Sequence, residues 1–156
     1  MAWGCMTWAG VGRIAKVEGR MDRHQFISIL DDHLTPTLDA IGLLPDMPDR
    51  KSLIFQQDND PKHTSKDAKC WFERQGVVLL DWPAQSPDLN PIEHLWGLLK
   101  TKIGQRPEAP KGIIELWGVV QVEWAKIGVE ACRSLIESMP RRCAAVVKAR
   151  GGPTKY

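Results

Sequence analysis

Two carboxylates stand where chemistry is easiest to build. Asp58 closes the short apolar run at residues 52–57 (SLIFQQ), and Glu93 sits in the first turn of NPIEHLW, with 34 residues between them. Strand C-termini and the helix starts that follow them gather at one end of a sheet, so distant residues can meet there. A carboxylate pair at such an end can hold Mg²⁺ or Mn²⁺, hard cations that take oxygen ligands and keep several waters. Shared metal requires the two groups to approach within about 4–8 Å in a groove open to solvent. Without metal, carboxylates held that close resist ionising together. Each residue also has a plainer reading. Glu93, three residues after Asn90, can serve as the acid of a capping box. Asp58, in the triplet DND, can form an Asx-turn. Composition and periodicity alone favour the plainer pair.

The elements that would carry these groups follow from pattern. Residues 2–9 (AWGCMTWA) and 13–18 (RIAKVE) read as an antiparallel hairpin, with Gly10 and Gly12 at the turn. From Asp22 onward Phe26, Ile27, Leu30, Leu34, Leu38 and Ile41 recur at helical steps, with Pro36 expected to kink or split the helix. Residues 45–50 (PDMPDR) are a polar connection. Residues 52–57 and 77–80 (VVLL) read as buried strands, lying parallel in one mixed sheet with the hairpin. Between them a helix starts near Thr64 as cap, has Ala68, Trp71, Phe72 and Gln75 on its inner face, and ends at Gly76. Asn90 and Pro91 open the next helix, with Ile92, Leu95, Trp96, Leu99 and Ile103 as its core stripe. Further helices run from Ile113 to Ile127, from Val129 to Met139, and onward from Pro140. The order predicts an α/β domain in which a mixed sheet is flanked by helices.

Bulk properties narrow the class. The chain has 156 residues, 43% of them hydrophobic and 26% charged, which suits one domain with a core. Residues 1–99 hold 10 Lys/Arg against 14 Asp/Glu, whereas residues 100–156 hold 11 against 5. The basic C-terminal third can face DNA or simply be solvated helix surface. Cys5, Cys70, Cys132 and Cys143 form no C-x-x-C pair, so reduced thiols rather than a zinc site are expected. No membrane span or secretory leader is expected from the hydropathy pattern.

The letters around the carboxylates carry more. FQQDNDPKHTS at residues 55–65 and DWPAQSPDLNPIEHLWGLLK at residues 81–100 resemble the second and third catalytic motifs of mariner-like DDE transposases. The 34-residue interval matches that superfamily's largest branch. WGCMTWAGVG resembles its strand-turn-strand, and SMPRRCAAVVKARGGPTKY the usual end of its catalytic domain. The resemblance implies an RNase H-like fold and metal-dependent cutting and joining of DNA. It makes Asp58 the second and Glu93 the third metal ligand, for Mg²⁺ or Mn²⁺ in a two-ion site. Asn59, Asp60, His63 and Asn90 would line the site, with the spacing favouring Asp58 over Asp60 as ligand. For His63 a structural hydrogen bond is the plainer role. Implied partners are double-stranded DNA, including transposon ends, and a homodimer. Residues expected on the DNA backbone are Lys100, Lys102, Arg106, Arg141, Arg142, Lys148 and Arg150. The implied location is the nucleus in a eukaryotic host and the cytoplasm otherwise.

The departures set a further expectation. In the family the first catalytic Asp lies on a strand ahead of the hairpin, and nothing precedes Met1 here. The remaining candidates are Asp22, Asp31, Asp32 and Asp39, all on or beside the first helix. The family's N-terminal helix-turn-helix reading domains find no counterpart in this sequence either. Residues 1–150 are therefore expected to form a partial RNase H-like catalytic domain lacking a first strand, with residues 151–156 as a tail. The alternative is a catalytically inactive remnant that binds DNA or a partner, or has no present activity. Another RNase H-like nuclease fits less well, because the loop WPAQSPDLNPIE is detailed and family-like.

Overall fold

The computed structural model describes residues 1–44 and 52–156; the expected polar connection at 45–50 lies outside them. The chain divides into two compact units. One comprises Met1–Gly4 with Ala15–Ser86, the other Cys5–Ile14 with Pro87–Tyr156.

The hairpin pairs β1 (Ala2–Thr7) with β2 (Gly10–Lys16). Its turn is Trp8–Ala9, tighter than the glycines suggest. Thr7 Oγ1 accepts from Ala9 N at 3.1 Å, and Gly10, at φ 128°, takes a conformation that side chains rarely adopt. Gly12 stays inside β2.

In the first unit the expected kink at Pro36 is absorbed differently. Helix α1 (Arg23–Ile29) runs through a π-helical segment, Leu30–Leu34, into α2 (Thr35–Gly42). Thr35 N reaches back five residues to Leu30 O. The wider turn accommodates a proline that has no N–H to give, and the helix continues without a break. Helix α3 (Lys66–Gln75) starts one residue later than expected: Ser65, not Thr64, caps it by accepting from Ala68 N at 3.2 Å. It ends at Gly76, with φ 68°, where Val77 N bonds Phe72 O and Gly76 N bonds Glu73 O. Phe26, Leu30, Leu34, Ala68, Trp71 and Phe72 are almost fully buried.

Strands β3 (Ile54–Phe55) and β4 (Val78–Leu79) pair in parallel, as expected, in the register Ile54 to Val78 and Phe55 to Leu79. Two expectations fail here. Among the described residues the four strands form two two-stranded sheets rather than one mixed sheet. A single sheet needs a strand bonded on both edges, and no described strand has that. Nor is the parallel pair buried on both faces. Phe55 stacks on Phe72 of α3 with ring centroids 5.2 Å apart, while Ile54 and Val78, pointing to the opposite face, are 64% and 53% exposed.

The second unit gathers its helices around Trp124. Helices α4 (Ile92–Gly104), α5 (Ile113–Ala125), α6 (Val129–Glu137) and α7 (Met139–Lys148) follow the expected order. Leu95, Leu99, Trp124, Ile127 and Cys132 form the cluster, with Met6, Val11 and Ile14 packed against it. Trp124 stacks on Trp96 at 4.9 Å and donates its indole N–H to Gly12 O at 2.8 Å. All four cysteines are free thiols, and no described helix is long and apolar enough to cross a membrane.

Candidate active site

Strand β3 stops at Phe55, so Asp58 lies three residues into the following loop rather than at the strand end. That loop folds back on itself. Asp60 O accepts from His63 N at 2.8 Å and from Thr64 N at 3.1 Å, which brings the His63 ring beside Asp58. Nδ1 of His63 meets Oδ1 of Asp58 at 2.5 Å, and Asp60 N donates to the same oxygen at 3.1 Å. The second contact is the expected Asx-turn, so Asp58 does serve the loop's backbone. It does so through one oxygen only. Its side chain is 60% exposed, and Oδ2 has no hydrogen-bond partner among the described residues.

The neighbouring acids are committed elsewhere. Asp60 accepts from Lys62 N through Oδ1 and pairs with the Lys62 ammonium through Oδ2. The Lys62 hydrogen bond holds its carboxyl below the usual range. Asn59 donates to Trp82 O at 2.6 Å. Of the other acids in this half, Asp22 caps α1 by accepting from Gln25 N, Asp31 accepts from the Trp71 indole at 2.6 Å, and Asp32 from Ser28 Oγ. Asp39 is exposed on α2.

Glu93 belongs to the second unit and Asp58 to the first. Glu93 is exposed in the first turn of α4, and its carboxylate has no hydrogen-bond partner among the described residues. The capping-box reading fails on this point. Asn90 N–H, which the box would offer to Glu93, donates instead to Pro87 O at 2.9 Å, and the helix N-cap is Pro91 rather than Asn90. Beyond Glu93 lies a cluster that the sequence reading missed. Arg142, only 1% exposed, donates to Ser138 Oγ at 2.7 Å, Asp88 O at 2.8 Å and His94 Nδ1 at 3.1 Å, beneath the Tyr156 ring. Asp88 in turn accepts from Thr154 N at 2.7 Å through Oδ2. Arg142 is thus withdrawn from the expected DNA-facing set, because every contact it makes is internal. Helical spacing was the available signal: Arg142 shares a face with buried Ser138, while Arg141 turns outward. Lys100, Arg141, Lys148 and Arg150 are exposed, Lys102 is half-buried, and Arg106 pairs with Glu123 at 3.2 Å.

The described residues contain no group of three or more His, Cys, Asp or Glu arranged to hold a metal. Asp58 in the first unit and Glu93 in the second each offer a donor of a suitable kind. Both are exposed carboxylates with uncommitted oxygens, the ligand chemistry that Mg²⁺ and Mn²⁺ select.

The model of the DDE superfamily endonuclease family matches residues 2–112. The chain belongs to that family. Among its relatives, the Tc1 transposase of Caenorhabditis elegans is 42% identical over 159 aligned residues, covering 100% of this chain and 54% of the relative. The chain therefore spans about half the length of the curated relatives it matches. Its fold is similar to the Mos1 transposase catalytic domain solved with Raltegravir and Mg, with TM-score 0.84 at 20% identity, over 99% of this chain and 76% of that one. The Mos1 paired-end complex with left transposon end gives TM-score 0.80 at 19% identity, over 99% of this chain and 44% of that one. The fold is accordingly the RNase H-like α/β fold expected of a DDE family member, with helices flanking small sheets.

Proposed function

We propose that residues 1–150 are catalytic-domain sequence of a DNA transposase, with 151–156 as a short tail, and that they supply two of its three metal-binding carboxylates. The observation carrying this reading is the contrast among acids. Asp58 and Glu93 stand in the second and third motifs with carboxylate oxygens left over, whereas Asp60, beside Asp58, has both its oxygens engaged by Lys62. Asp58 and Glu93 would hold Mg²⁺ or Mn²⁺, while Asn59, Asp60, His63 and Asn90 shape the loop and helix start around them. Bound divalent ions would supply activation of an attacking hydroxyl and stabilisation of the leaving 3′ oxygen. Lys100, Lys102, Arg106, Arg141, Lys148 and Arg150 would neutralise phosphates of double-stranded DNA, including transposon ends, which holds the strand without reading its sequence. A homodimer and a nuclear location follow from the same family reading.

The test replaces the matching segment of the Tc1 transposase with residues 1–156. The expected result is Mn²⁺-dependent end cleavage and strand transfer that Asp58→Ala and Glu93→Ala each lower by at least about 100-fold, as loss of catalytic placement does. Full activity in either variant would show that its carboxylate is not a ligand.

A further inference from the structure

The loop after β3 holds one feature that the metal-ligand reading does not require. His63 is fixed from several sides. Its N–H bonds Asp60 O at 2.8 Å, its carbonyl accepts from the Gln57 amide at 3.1 Å, and its ring lies on Phe26 with centroids 4.4 Å apart. Phe26 is itself 1% exposed, so the surface beneath the imidazole belongs to the core of the first unit. The ring has one polar engagement, Nδ1 with Oδ1 of Asp58, and its buried Nε2 has no partner among the described residues. An ionised carboxylate only accepts, so Nδ1 carries the proton.

A core-anchored imidazole thus grips one oxygen of an otherwise exposed carboxylate. Asp60 N binds the same oxygen, and both donors leave Oδ2 untouched. We propose that His63 is a positioning residue for Asp58: its Nδ1–H pins Oδ1 and turns Oδ2 outward as the oxygen that takes the divalent cation. The inference rests on the reading of Asp58 as a metal ligand. A freely rotating Asp would sample several rotamers and both oxygens, and the grip removes that freedom before metal arrives. Partners behind a ligand commonly set metal affinity by about 10–100-fold.

The test uses the 156-residue chain, in two parts. The first needs no metal. Side-chain ¹⁵N NMR near pH 8, above the ordinary imidazole range, is expected to find His63 protonated on Nδ1. In Asp58→Ala, which removes the acceptor at Nδ1, the proton is expected to move toward Nε2, with the remaining backbone amide shifts checking that the fold is kept. An Nε2–H ring in the unaltered chain overturns the inference. The second part titrates Mn²⁺ and follows paramagnetic broadening of the Asp58 and Asn59 amides. His63→Asn places an amide N–H₂ near the position of Nδ1, whereas His63→Gln places it near Nε2. Asn is expected to retain affinity within about threefold, and Gln to lose about tenfold or more. Equal weakening by both variants, or none by either, overturns the positioning role while leaving Asp58 as a ligand. Broadening unchanged in Asp58→Ala overturns the ligand reading itself, and the inference falls with it.

Discussion

Arg142 donates from one guanidinium nitrogen to Nδ1 of His94 at 3.1 Å, one residue beyond Glu93. Arginine has no acceptor, so His94 must offer its Nδ1 lone pair, which leaves the proton on Nε2. Burial, followed by the adjacent guanidinium, holds His94 below the ordinary imidazole range. The same guanidinium binds Asp88 O and Ser138 Oγ, joining the turn Pro87–Leu89, the start of α4 and α7.

Removal of that centre should act through folding. Arg142→Ala deletes three hydrogen bonds made by a charged donor and leaves their acceptors unpaired, a loss of about 3 kcal/mol or more. Arg141→Ala, on the exposed side of the same helix, should change stability by no more than about 0.5 kcal/mol. Denaturant titration of both variants checks the contrast. Equal, small effects would mean that Arg142 is not the structural centre described.

DNA binding should show the opposite order. Lys100, Arg141, Lys148 and Arg150 are exposed and positively charged. Affinity should be independent of sequence and fall steeply with salt, and each substitution that removes a phosphate contact should lower the log–log salt slope by about 0.9. Fluorescence anisotropy on unrelated duplexes measures both quantities. Binding unchanged up to roughly 0.5 M salt, or a sequence-specific footprint, would contradict this mode.

Glu93→Gln separates chemistry from stability. The carboxylate has no partner among the described residues, so the melting temperature should stay within the range of a neutral surface change, about 0.5 kcal/mol. Strand transfer by the Tc1 chimera should nevertheless disappear. The 156-residue chain by itself should join no pre-cut end DNA to a supercoiled target in Mn²⁺, since two metal ions repel and two carboxylates are too few to hold both in line. Strand transfer by that chain, lost in Asp58→Ala, would mean that Asp22, Asp31, Asp32, Asp39 or a second subunit supplies a third ligand.

Acid should loosen the second unit through Glu123. This buried carboxylate sits 2.9 Å from the Lys126 ammonium and 3.2 Å from Arg106, and the Lys126 hydrogen bond comes first in holding it below the usual carboxylate range. A depressed folded-state value stabilises fully above the unfolded value, about pH 4.3, and is lost as pH falls through the folded one. Melting temperature should therefore drop in that window, and the drop should be shallower in Glu123→Gln. Parallel pH profiles of the two proteins would contradict the assignment.

The extent to which the sequence determined this protein follows from the range of each interaction. Hydrophobic period placed α3 through α7 within a few residues, because the helical repeat and signals such as Gly76 are local. The motifs around Asp58 and Glu93, read with their 34-residue interval, were enough to name the family, since they sit in consecutive letters. What the tertiary structure decided involves partners far apart in the chain. Asp31, in the π segment, accepts from the Trp71 indole, 40 residues later in the chain. The exposed face at Ile54 and Val78 depends on how the strands divide between sheets. Arg142 became an internal anchor because Asp88, 54 residues earlier, and Tyr156 close around it. Helical spacing puts Arg142 on the face of Ser138 and Arg141 on another, but that the Ser138 face is the buried one belongs to the packed fold.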